Sequence, residues 1–280
     1  MKLEIAKFAK YPAPARLLIF LLILVGLWAP FAIPIYAFVK DANLVSIITM
    51  VILYTEFIVL ARWWGKNVYQ QPQILRDYGL QFNRRNGRDL LNGLALGVIS
   101  LFALFITQGL LGWVIWQKPA SSLTFTILEG LIMSLAVGFA EELLFRGWLL
   151  DELQRNYSLQ ISLLVNGLIF AISHYIRPLD VILATWPQII GLFLLGLTCV
   201  WGKLSHQGRL GFPMGFHGGL VWGYYIVRVG NLTKYSGKVP EIITGVNQNP
   251  LAGILGLLFL GTIALWISQQ TKTKTPETNQ

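Results

Sequence analysis

Residues 128–150 read LEGLIMSLAVGFAEELLFRGWLL. The run is long enough to cross a hydrocarbon core of about 30 Å, which takes about 20 helical residues. Yet Glu141, Glu142 and Arg146 stand inside it. On insertion scales an ionisable side chain at the centre of a membrane helix costs roughly 2.5–3.5 kcal/mol. Three so close together are tolerable only where they pair or line a wet cavity. Glu142 and Arg146 are four apart, share a helix face and can pair along it. Glu141 points about 100° away, toward a different neighbour. One carboxylate is then held and the other left free for chemistry. The plainer alternative is that the pair ends the span at the interface, with DELQRN continuing into water.

The rest of the chain makes the membrane reading general. Of 280 residues 55% are hydrophobic and 12% charged, about half the charged share of a soluble domain. Eight long apolar runs stand out, at about 17–39, 44–64, 90–116, 124–150, 159–177, 187–204, 212–229 and 250–268. They are continuous rather than alternating, and only helices or closed barrels satisfy the backbone in lipid. The expected fold is an all-α, polytopic bundle of about eight transmembrane helices, a single domain over 1–280. The tail at 271–280, polar and rich in threonine, reads as disordered.

The net charge of +9 follows topology rather than nucleic-acid binding. With the N-terminus inside, fifteen basic residues fall on the cytoplasmic side and six opposite, leaving Arg146 aside. That asymmetry predicts both termini inside, with the excess charge meeting anionic lipid heads. The expected partners are the bilayer and a peptide or membrane-protein substrate, with no nucleic acid. The location is a multi-pass protein of a bacterial-type cell membrane or an internal membrane. The single Cys199 reads as a buried thiol, and His206, beside Lys203 and Arg209, as a solvated surface residue.

Two histidines join the carboxylates. His174, in NGLIFAISH, has Phe170 one turn earlier on its face and Asn166 one turn before that. His217, in GFPMGFHGGLVWG, is flanked by Gly215, Gly218 and Gly219, which allow close backbone approach. Spans four and five turn near 155–157, so Glu141 and His174 differ in height by only about 6 Å at about 1.5 Å per residue. Such a set allows two chemistries. A carboxylate and imidazole can activate water while a second imidazole stabilises the oxyanion. Alternatively, Glu141, His174 and His217 can hold a divalent ion such as Zn²⁺.

At these residues the chain resembles the CAAX protease and bacteriocin-processing (CPBP) family of intramembrane proteases. EELLFR matches its EExxxR motif and FAISH its FxxxH, and His217 falls where a later histidine belongs. The resemblance covers about 125–225. It implies that Glu141 activates water with His174, that His217 stabilises the oxyanion or binds metal, and that Glu142, Arg146, Phe170 and Asn166 support them. One position departs: Val221 stands where the family often carries asparagine or another polar residue, and Asn166 is the nearest substitute by face. Two further readings are a non-catalytic membrane scaffold or chaperone of the same family and a proton-coupled transporter using the same residues as a relay.

Overall fold

The computed structural model describes residues 5–119 and 122–274. Eight principal helices follow one another: α1 (Ala13–Phe38), α2 (Ala42–Asn67), α3 (Arg84–Leu110), α4 (Leu123–Glu142), α5 (Leu159–Ser173), α6 (Gln188–Ser205), α7 (Gly211–Val229) and α8 (Ile254–Lys274). Local chemistry sets several starts. Asp41 caps α2 by accepting from the Leu44 amide at 2.8 Å, and Asn83 caps α3 by accepting from the Asn86 amide at 2.8 Å. Each cap satisfies one of the donors a helix leaves unpaired at its first turn.

All eight apolar runs are helices, but not all are long enough to cross. Among the described residues six helical stretches are, α4 counted through Gln154. Helix α5 has 15 residues, about 22 Å at about 1.5 Å per residue, because it stops at His174, where the chain turns before Pro178. Helix α7 is mostly enclosed by protein. The protein is therefore an integral, multi-pass membrane bundle with two inner helices shorter or more enclosed than the sequence suggests.

Glycines bring α7 against α3. A Cβ on Gly215 would lie 2.0 Å from the Leu90 carbonyl oxygen, and one on Gly97 would lie 2.4 Å from that of Phe216. With backbones this close, dispersion between main chains replaces side-chain interdigitation, the usual solution where lipid supplies no hydrophobic drive. The other face of α7 packs on α4. So His217 is carried on a helix clamped from two sides.

At the far end of α3 and α7 the expected helix to residue 116 gives way. Gly112, at φ +68°, turns the chain. Val114–Trp116 (β1) then pairs antiparallel with Thr233–Tyr235 (β2), with Val114 opposite Tyr235. At the C-terminus α8 runs to Lys274, into the segment read as a tail, while residues 275–280 lie outside the described part. Two of the fifteen basic residues counted as cytoplasmic, Arg16 and Lys203, are buried, so the asymmetry rests on the other thirteen.

Candidate active site

The site is built around a widening of the fourth helix. After Glu142 the α-helix passes into a π-helical segment, Leu143–Leu149, before closing with Leu150–Gln154. Wide turns of this kind disturb the regular ladder and concentrate at functional positions. Here two carbonyls of the turn accept from side chains on neighbouring helices. Asn166 Nδ2 of α5 donates to the Phe145 carbonyl at 2.7 Å, and Lys203 Nζ of α6 donates to the Arg146 carbonyl at 2.7 Å. Asn166 is thereby tied to the widened turn. Lys203, expected at the surface, is a buried brace.

Arg146 is fully buried. Its Nη1 meets Glu142 Oε1 at 2.9 Å, and its Nη2 donates to the Gly196 carbonyl at 3.2 Å. The guanidinium also lies 4.1 Å from the Phe170 ring centroid, a cation–π contact. Phe170 touches both histidines edge-on, His174 at 4.7 Å and His217 at 6.0 Å between ring centroids. It spaces the charged groups apart.

The histidines present the same face to Glu141. His174 Nδ1 lies 2.8 Å from the Phe170 carbonyl, which can only accept, so Nδ1 carries the proton. His217 Nδ1 likewise donates to Glu142 Oε1 at 2.9 Å. Both Nε2 atoms are left facing Glu141 Oε2, at 3.7 Å from His174 and 3.9 Å from His217. These separations are too long for direct hydrogen bonds. Two acceptors 3.7 Å apart can instead share the two hydrogens of one water, at about 2.8 Å from each.

Glu141 and His174 open onto a cavity of about 290 Å³, lined also by Tyr54, Leu144, Phe145, Ser173, Ile176 and Arg177. Glu142, Arg146 and His217 sit behind that wall. Tyr54, Ser173 and Arg177 did not stand out in the sequence. A tyrosine mid-run in VILYTEFIVL looks like any aromatic facing lipid, and Arg177 like a loop cation. Among the described residues no group of three or more histidine, cysteine or acidic side chains is arranged as a metal-binding cluster. His206 lies outside the site. It is partly buried, its Nδ1 2.8 Å from the Gly202 carbonyl and its ring stacked on Phe212 at 4.4 Å, so it packs a helix end while staying partly exposed. Cys199 is buried as expected.

Residues 122–233 match the family model described as type II CAAX prenyl endopeptidase Rce1-like. The matched segment, less than half of the chain, is similar to that family. It contains α4, the widened turn, α5, α6 and α7, and so every residue of the CAAX-protease motifs, from Glu141 to His217, while Tyr54 lies outside it. Nothing among curated proteins or solved structures matches the chain.

Proposed function

We propose that this chain hydrolyses a peptide bond of a peptide or membrane-protein substrate, using water activated by Glu141 and His174. The observation that carries the reading is the placing of Glu141 Oε2 beside two imidazole Nε2 atoms, at 3.7 and 3.9 Å, at the wall of an open cavity. Arg146 holds Glu142, which leaves Glu141 as the carboxylate able to take a proton.

In this reading one hydrogen of the water faces Glu141 and the other faces His174 Nε2. The water oxygen attacks the carbonyl carbon as Glu141 takes the proton. The carbonyl oxygen becomes an oxyanion. On collapse the C–N bond breaks, and the proton held by Glu141 passes to the leaving nitrogen. His217, fixed through Glu142, is the further polar group facing the reacting centre. General base action of this kind contributes about 10²–10⁴ in rate. The family name carries a substrate, the CAAX sequence of prenylated proteins, and the apolar Leu144, Phe145 and Ile176 at the cavity suit an apolar peptide segment. A divalent ion held by Glu141, His174 and His217 would supply a Lewis acid that polarises the substrate carbonyl.

The test is substrate trapping. Purified wild-type protein in bilayers should release cleaved peptide, with no acyl-enzyme intercepted by hydroxylamine. Glu141→Gln protein should retain uncleaved substrate that mass spectrometry identifies. A hydroxamate product, or cleavage by the variant at the wild-type rate, would overturn the reading.

A further inference from the structure

Hydrolysis needs a donor for the oxyanion, and His217, with its Nδ1 proton directed at Glu142, does not offer one. The cavity supplies the candidates. Its polar lining beyond Glu141 and His174 consists of Tyr54, Ser173 and Arg177. Ser173 Oγ already donates its proton to the Phe170 carbonyl at 2.8 Å. Arg177 is exposed, follows the end of α5, and has no side-chain partner among the described residues to fix it. Oxyanion stabilisation depends on donors held in place before charge develops, and a free arginine does not meet that condition. His217 has given its Nδ1 proton to Glu142, and its Nε2 is the nitrogen facing a carboxylate.

Tyr54 fits on three counts. It borders the cavity from α2, while the other lining residues come from 141–145 and 173–177, so it is a separate wall of the volume that Glu141 and His174 share. Its ring is half-buried, packed into the core and fixed by an edge contact with Phe57 at 6.3 Å. Its hydroxyl makes no hydrogen bond among the described residues and is not among their enclosed, unsatisfied polar atoms, so the O–H is unspent and reachable.

We propose that the Tyr54 hydroxyl donates to the oxyanion of the tetrahedral intermediate. The inference rests on the hydrolytic reading above. It makes Tyr54 a catalytic residue contributed by a helix outside the matched segment 122–233.

The experiment compares wild-type, Tyr54→Phe and Glu141→Gln proteins in lipid bilayers. It follows turnover of a fluorogenic peptide and inhibition by a phosphonate analogue of the same peptide. Tyr54→Phe keeps the ring and removes only the hydroxyl. The expected result is a fall in kcat of about a hundredfold with KM within twofold of wild type. Phosphonate affinity should fall by the same factor as kcat/KM, and thermal unfolding should be unchanged. A merely structural tyrosine would move KM or unfolding and leave the phosphonate correlation absent. If Glu141→Gln is inert and Tyr54→Phe is as active as wild type, the Tyr54 role is wrong and the hydrolytic reading stands. If wild type has no turnover, or Glu141→Gln is fully active, both fall.

Discussion

Among the described residues two glutamate–arginine pairs are buried, and they are built to opposite specifications. At the turn after α4, Arg16 Nε meets Glu152 Oε2 at 2.9 Å, and Arg16 Nη2 donates to the Glu152 carbonyl at 3.0 Å. Arg16 Nη1 also reaches Asn156 Oδ1 at 2.8 Å and the Tyr11 carbonyl. Tyr69 closes the set, its hydroxyl 2.6 and 2.7 Å from the two carboxylate oxygens. The other pair, Glu142–Arg146, is equally buried but open. Glu142 Oε2, Arg146 Nε and the neighbouring Glu141 Oε2 have no hydrogen-bond partner among the described residues. A buried charge left partly unsatisfied is expensive. Closed valences tie α1, the chain after α2 and the fourth helix together. Open ones leave capacity for water and substrate.

This contrast can be broken in four places, taken in order of effect. His174→Ala removes one of the two acceptors offered to the water. It should lower kcat/KM by about 10²–10⁴ with little change in thermal unfolding, measured on purified protein in bilayers. Arg16→Ala strands Glu152, and removing one partner of a buried pair costs about 3–5 kcal/mol. Denaturant unfolding should show that loss, while turnover per folded molecule stays near wild type. Lys203→Met leaves the Arg146 carbonyl without its side-chain donor at a cost of roughly 1–3 kcal/mol. It should also reduce kcat, because the widened turn carries Arg146. The smallest effect concerns Tyr69. Burial and the adjacent Glu152 push its hydroxyl well above the ordinary tyrosine range. A group whose folded value is raised adds stability that is complete below its unfolded value, about 10, and that fades as pH rises beyond it. Wild type should therefore lose stability above about pH 10 more steeply than Tyr69→Phe, as read by thermal unfolding across that range.

What the sequence discloses and what it hides divide along the same line. Eight apolar runs locate eight helices because hydrophobic length is a local property. The meeting of Glu141 and His174 follows from counting residues back to their shared turn, while that of His217 with them does not. The i,i+4 spacing of Glu142 and Arg146 likewise predicts their 2.9 Å bond. The widened turn at Leu143–Leu149 leaves no mark in composition, since LLFRGWL would serve an α-helix as well. Lys203 and Arg16 pass for interfacial cations because their partners lie 57 and 136 residues away along the chain. Tyr54 is hidden in an apolar run for the same reason: only tertiary packing shows that it borders the cavity. The β1–β2 pair likewise needs two segments far apart in sequence, joined by α3 and α7.

The most direct test of the contrast is to neutralise one carboxylate from each region and read turnover and unfolding on the same samples. Glu141→Gln should lose at least about a thousandfold in kcat/KM, near the upper part of the range for general base catalysis, and keep its unfolding midpoint. Glu152→Gln should show a lowered midpoint with near-normal turnover of the folded fraction. Undiminished turnover by the Glu141→Gln protein would contradict the assignment of water activation to that carboxylate.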